Sequence, residues 1–318
     1  MKLSVVMTTY NNIECIRESV VSFLNQTLDR TNYELIVVDD GSTDGTVNML
    51  SEMSLKHHFR LTTQSNSGVS HARNVGAALA QNEVILFTQG DIVANNSVLE
   101  IHAQFHDLHS HETYALVGNI TWHSNITVTP FMRWLEHGGP QFDFDRLESG
   151  KIADHLSFYT PQVSLKKDFF KKSGGFDESF VVSEGVTAYE DTELAWRLTK
   201  LGMKLYYDSS ARVFHFHRKT LESVLNRRYY EGMMSVALHN KHPDYTFGIG
   251  KQLSVNSLVS DSTRTRLSSL LLQPLIGTLL DKISRWCETR YYIPLLYKLT
   301  CRYSYNRGLN DAKRKNIH

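Results

Sequence analysis

Apolar runs that stop abruptly at polar, turn-forming residues recur through the first third of the chain. Leu3–Met7 gives way to Thr8-Thr9-Tyr10-Asn11, Tyr33–Val38 to Asp39-Asp40-Gly41-Ser42, and Val84–Phe87 to Thr88-Gln89-Gly90-Asp91. Such runs read as buried strands. Between them the period changes to that of helices. Asn11 or Asn12 can cap a helix running to about Gln26, with Ile13, Ile16, Val20, Phe23 and Leu24 as its buried stripe. After the second run, glycines permit a tight turn, and hydroxyls with Asp44 can cap the helix that follows. Phe59–Thr63 makes a short third strand, and Ser67-Gly68 opens a small-residue helix, Val69–Leu79, that carries Arg73 and Asn74. Strand and helix alternating at this spacing imply right-handed crossovers and a parallel sheet. In an open α/β sheet ligands bind at the strands' C-terminal ends, so the polar residues ending each run are the first candidates for a site.

Downstream, Ser97–His109 reads as a helix and Tyr114–Thr121 as a strand, whereas 123–158 is irregular and rich in Phe, His, Asp and Gly, suiting loops that reach over a site. Val163–Leu165 resumes strand character, a helix begins near Glu190, Lys204–Tyr207 and Arg212–Phe216 read as two strands, and the pattern is helical from Leu221 onward. With 318 residues the chain is long enough for one large α/β domain and an extension. The net charge of +1 argues against nucleic acid as the organising partner. Cys15, Cys287 and Cys301 suggest neither a disulfide framework nor a zinc knuckle, which fits a reducing cytosol. The N-terminus lacks a signal-peptide apolar region, and the apolar-leaning stretch Leu267–Leu280 is too short and broken to span a bilayer.

Four features carry chemistry. The pair Asp39-Asp40 at a strand end can accept hydrogen bonds from a nucleobase or cap the next helix. Asp91 can hold a hard divalent cation, Mn²⁺ or Mg²⁺, that in turn holds phosphate. Glu190-Asp191 stand at a helix start after the flexible stretch Ser183-Glu184-Gly185-Val186, where acids are favoured. His215-Phe216-His217 closes a strand-like run with two imidazoles, either of which is a candidate to reach a site. No glycine-rich phosphate loop is present, so a pyrophosphate must be held by a metal and by cations, with Arg73 a candidate.

The segments SVVMTTYNN, ELIVVDDGSTDGT, GVSHARNVGAALA, the strand ending in Gly90-Asp91, GGFDESF, YEDTELAWRL and FHFH occur in the order found in family-2 glycosyltransferases, which the chain closely resembles over roughly residues 3 to 217. The resemblance implies a GT-A fold, with a Rossmann-like, mostly parallel sheet flanked by helices. It implies inverting transfer from a nucleotide-diphosphate sugar, UDP being the family's commonest carrier, to an acceptor hydroxyl on a carbohydrate or glycolipid. By the same resemblance Thr8, Tyr10 and Asp40 contact the nucleoside with Asp39 beside them, and Arg73 lies near the nucleotide. Asp91 is the metal ligand, His217 or His215 completes the metal site, and Asp191 of the Glu190-Asp191 pair is the catalytic base. The chain departs from the family's Asp-x-Asp motif, reading Gln89-Gly90-Asp91. A glutamine amide can bond ribose hydroxyls but adds no charge to a cation, so weaker metal affinity is expected. Transfer to a polyprenyl phosphate and nucleotide-sugar binding without turnover are the competing expectations.

The expected division is a catalytic domain over 1–217 and a helical extension over 218–318. From Lys282 to the end, nine basic residues face Glu288 and Asp311, with six Trp and Tyr residues interleaved. This stretch suits either an anionic membrane surface, which would put the protein in the cytoplasm at the inner face of the cell membrane, or packing on the catalytic domain or on a second subunit as a homodimer.

Overall fold

The computed structural model describes residues 1–183, 186–245 and 274–314. Glu184 and Gly185, the apolar stretch before Pro274 and the end of the basic tail lie outside the described residues. The chain divides into two compact units, Met1–Ile126 with Phe144–His217, and Thr127–Asp143 with Arg218–His318.

In the first unit the main sheet runs β3 (Arg60–Thr63), β2 (Tyr33–Asp39), β1 (Leu3–Thr9), β4 (Val84–Gln89), β8 (Val163–Lys166), β6 (Tyr114–Trp122), β11 (Lys204–His215) and β5 (Ile92–Ala94), with β7 (Ile152–Ala153) paired to β11. The strands from β3 to β4 are all parallel, as the crossover pattern requires. Beyond them the sheet is mixed: β8 is antiparallel to both β4 and β6, and β11 is parallel to β6. A separate two-stranded antiparallel sheet pairs β9 (Val181–Ser183) with β10 (Val186–Thr187). Every residue of β1 is buried, because helices cover both faces of the sheet.

The helices are α1 (Ile16–Leu24), α2 (Thr46–His57), α3 (Val69–Leu79), α4 (Val98–Leu108), α5 (Pro130–Glu136), α6 (Lys167–Lys172), α7 (Glu190–Lys200) and α8 (Leu221–Lys241), followed by α9 (Pro274–Cys287) and α10 (Pro294–Arg314). Helix α1 starts later than its asparagines suggest. Asn12 supplies its backbone carbonyl to Cys15 and Ile16 (3.1 and 2.9 Å) rather than a side-chain cap. Helix α3 lies close on the sheet because Gly76 has no side chain; a Cβ there would collide with Val6. The two strands read at the end of the catalytic region are one strand, β11, whose pairing with β6 shifts between Asp208 and Arg212. The region 123–158 is not wholly irregular: Thr129 caps α5 by accepting from Met132 N (3.2 Å), with Pro130 opening the helix.

In the second unit α5, α8, α9 and α10 pack around Phe131, Trp134, Leu221, Tyr297 and Cys301. Glu288 joins these elements. Its carboxylate accepts from Leu221 N (2.7 Å) and its carbonyl from Phe131 N (3.2 Å).

Candidate active site

The ends of β1, β2 and β4 meet in register, Thr9 opposite Asp39 and Thr8 opposite Gln89, so the polar residues closing three separate apolar runs become neighbours. They border an open cleft of about 190 Å³ lined by Thr8, Thr9, Tyr10, Asn12, Asp40, Asn66, Val69, Ala72, Gln89 and Asp91. Tyr10 stands 46% exposed at this edge. The turn after β4 is tight: Gly90 N donates to Thr8 O (2.9 Å), and a Cβ on Gly90 would sit 2.5 Å from Thr9 Oγ1.

The two neighbouring aspartates divide their work. Asp39 is fully buried, and its Oδ2 accepts from Gly41 N (3.0 Å) and Ser42 N (2.9 Å), holding the turn; its Oδ1 has no hydrogen-bond partner. Asp40 fixes the loop leading into α3. Its Oδ1 accepts from Gln64 Nε2 (2.8 Å) and Ser67 N (2.9 Å), and its Oδ2 from Gly68 N (2.9 Å). Asp40 therefore belongs to the cleft wall and Asp39 to the turn behind it. Asp44 accepts from Ile13 N (3.0 Å) as well as from Thr46 N (3.0 Å), tying the turn after β2 to the one after β1.

Asp91 and His215 meet at the pairing of β5 with β11. His215 Nε2 lies 3.3 Å from Asp91 Oδ2, while Asp91 Oδ1 is buried with no hydrogen-bond partner. The other imidazole nitrogen, Nδ1, lies 3.0 Å from His217 O, which sets the ring's orientation. Of the two candidate histidines, His215 is therefore the one beside Asp91; His217 is exposed and serves this arrangement through its backbone. Among the described residues no three His, Cys, Asp or Glu side chains converge. One carboxylate with an unengaged oxygen and one imidazole nonetheless fit a Mn²⁺ or Mg²⁺ ion that takes its remaining ligands from phosphate and water.

Glu190 and Asp191 open α7 from Tyr189, whose backbone adopts the left-handed region (φ 69°), a strained conformation for an aromatic residue. Arg73, expected near the nucleotide, is not among the cleft-lining residues. It is buried, with Nη1 3.0 Å from Asp191 Oδ1 and 3.5 Å from Glu190 Oε1, and its guanidinium lies over the Phe176 ring. The physical reason is charge: a guanidinium taken out of water needs carboxylates beside it, and this pair provides them.

Thr160 completes the setting of Asp191. Its backbone N–H reaches Oδ2 at 3.2 Å, and its hydroxyl lies 2.8 Å from Oδ2 and 3.0 Å from Oδ1. Burial pushes the Asp191 carboxyl above the usual carboxylate range; Arg73 pulls it down, Glu190 raises it, and Thr160 restrains it. Glu190 is more deeply buried, and its Oε2 has no hydrogen-bond partner. Asn74, next to Arg73, binds the Gly174–Glu178 segment by donating to Phe176 O (2.9 Å) and Glu178 Oε1 (2.8 Å). Adjacent residues of α3 thus organise two distant segments. Thr160 and Asn66 were missed in the sequence, since neither sits in a recognisable motif; only the tertiary contacts mark them.

Several known proteins are similar to this chain. A pre-mycofactocin glycosyltransferase of Mycobacterium tuberculosis is 27% identical over 301 residues, covering 91% of this chain and 59% of that protein. A validoxylamine A glucosyltransferase of Streptomyces hygroscopicus subsp. jinggangensis is 29% identical over 235 residues, covering 64% and 52%. The chain thus spans less than two thirds of the length of these relatives. In three dimensions it is similar to S. aureus TarS 1-349 in complex with UDP-GlcNAc, with a TM-score of 0.55 and 18% identity over 99% of this chain and 92% of that one, a likeness of fold. Residues 4–172, more than half of the chain, match the model of glycosyl transferase family 2, and the chain belongs to that family.

Proposed function

We propose that the protein is an inverting glycosyltransferase that moves a sugar from a nucleoside-diphosphate sugar, UDP-linked by preference, to an acceptor hydroxyl of a carbohydrate or glycolipid. The observation that carries this reading is the convergence of Thr8, Tyr10, Asp40, Gln89 and Asp91 on one cleft at the ends of three parallel strands. The Tyr10 ring offers an exposed face for a nucleobase, Asp40 and its loop form the adjoining wall, and Gln89 presents an amide toward ribose hydroxyls. Asp91 and His215 would hold a divalent cation, which supplies Lewis-acid relief of charge on the diphosphate when bound.

Asp191 acts as the general base. Its raised pKa brings it nearer to the working pH, and Thr160 and Arg73 hold its oxygens in fixed positions from which the acceptor hydroxyl's proton is taken. A single displacement from the face opposite the leaving diphosphate then inverts the anomeric centre. Glu190 shares the charge of Arg73 and keeps the pair of acids apart in role, because consecutive residues on a helix point about 100° apart.

Gln89 in place of an acid favours one competing reading, a nucleotide-sugar binder without turnover. Donor hydrolysis and transfer measured with UDP-sugars, with and without saccharide acceptors and Mn²⁺, separate the two. Acceptor-dependent release of UDP supports the enzyme, and nucleotide binding with no release under any acceptor supports the binder. Release only onto a polyprenyl phosphate would reassign the acceptor.

A further inference from the structure

Helix α9 packs with the wrong side out for an isolated water-soluble surface. The side facing its own unit is small: Gly277, Ser284 and Cys287 are buried, with Ser284 Oγ 2.7 Å from Thr300 Oγ1. The large apolar residues face away. Leu275 is 85% exposed, Leu279 58%, Ile283 41% and Trp286 56%, at spacings of four, four and three that place them on one stripe. The stripe continues through Tyr291, Tyr292 and Ile293 in the turn before α10 and Leu295 in its first turn, all exposed. Trp286 and Tyr291 rings lie 5.2 Å apart, and the Arg290 guanidinium lies over Trp286. Contiguous apolar surface of this kind on a folded protein marks an interaction site.

We infer that this face docks on an anionic phospholipid bilayer, with the apolar residues of α9 and the following turn entering the interfacial layer. The choice of occupant rests on charge and on residue type. Over α9 and α10, from Pro274 to Arg314, there are eight basic residues and three acidic ones, Asp281, Glu288 and Asp311. All three acids are engaged within the unit, Asp281 with Arg285 Nε (2.9 Å), Glu288 with Leu221 N and Asp311 with the Tyr229 hydroxyl. Lys282 lies among the exposed leucines, where its stem can cover apolar surface while the ammonium reaches phosphate. Trp and Tyr at the edge of an apolar stripe are suited to the headgroup region, each having an apolar body and a polar tip. A second copy is a poorer occupant, since a two-fold contact would set Lys282 and Arg290 against their own like charges. This inference is independent of the proposed reaction.

The test is sedimentation of the full chain with vesicles of phosphatidylcholine alone and of phosphatidylcholine mixed with phosphatidylglycerol. Binding to the mixed vesicles is expected, about tenfold or more above the neutral ones and weakened by salt. Leu279→Ser with Trp286→Ser, and separately Lys282→Glu with Arg290→Glu, are expected to lower that binding about tenfold each while nucleotide affinity stays unchanged; all four side chains are exposed, so folding is spared. Equal binding by wild type and both variants, or no vesicle binding by wild type, overturns the inference. So does a wild-type dimer in light scattering that Leu279→Ser with Trp286→Ser converts to a monomer, which would make the face a contact between copies.

Discussion

Arg73 Nη1 lies 3.0 Å from Asp191 Oδ1, joining α3 to the start of α7 across 118 residues of sequence. With Glu190 Oε1 at 3.5 Å from the same nitrogen, one guanidinium serves two carboxylates, and the buried group keeps more negative than positive charge. Burial away from water is what raises the Asp191 proton affinity; Arg73 opposes the rise and Glu190 adds to it.

Asp191→Asn keeps the shape of the side chain and removes the proton acceptor. Turnover is expected to fall by about two to four orders of magnitude, with donor affinity nearly intact by calorimetry. Glu190→Gln is expected to cost less and to act mainly on acceptor KM. Collapse of turnover in Glu190→Gln with near-normal Asp191→Asn would exchange the two roles.

Thr160 acts through Asp191 as a positioning residue, and its effect has a sign. The Thr160 hydroxyl favours the ionised carboxylate, so Thr160→Val raises the Asp191 pKa further. A general base works deprotonated, so the acid limb of the pH–rate profile moves to higher pH, and Thr160→Ser restores it. A profile unmoved in Thr160→Val would place the working base elsewhere.

Asp91→Ala should abolish the extra thermal stabilisation that Mn²⁺ adds to bound UDP, and His215→Ala should weaken metal affinity about ten- to a hundredfold. Gln89→Asp, adding a carboxylate beside the ion, is expected to tighten it. Metal-dependent stabilisation surviving intact in Asp91→Ala would put the cation at other residues.

Gly90→Ala forces a methyl against Thr9 Oγ1 at 2.5 Å and Ile16 Cδ1 at 2.8 Å. The turn must move, at a cost of about 1–3 kcal/mol in urea unfolding, and UDP affinity should drop with it because Thr8 and Gln89 flank the same turn. Unchanged stability would show that α1 yields instead.

Beneath the sheet, Ser164 Oγ lies 2.7 Å from His102 Nδ1 and 2.8 Å from His106 Nε2, and burial pushes His102 down to about 3. A histidine whose folded pKa lies below its unfolded value favours the native state fully above pH 6.5, and that advantage shrinks as pH falls toward about 3. Between pH 7 and pH 5 the wild type should lose about 2 kcal/mol for this histidine, and His102→Gln should show a shallower decline in chemical denaturation over the same range. Parallel slopes would show that His102 is protonated in the folded state.

The parallel strands, the helices between them and the cleft residues that close the apolar runs were legible in the chain because each depends on near neighbours: an apolar run, a turn residue, a cap. Thr8, Tyr10, Asp40, Gln89 and Asp91 each end or follow such a run, so their types and order could be read directly. The tertiary structure decided what depends on distant partners. It turned Arg73 away from the cleft-lining set and onto Glu190 and Asp191, because a buried cation goes where the nearest carboxylates are. It brought Thr160 to Asp191 from 31 residues upstream, a distance at which no periodicity carries information. It set His215 rather than His217 beside Asp91, since β11 ends at His215, the last residue paired with β5, and His217 lies past the strand, exposed.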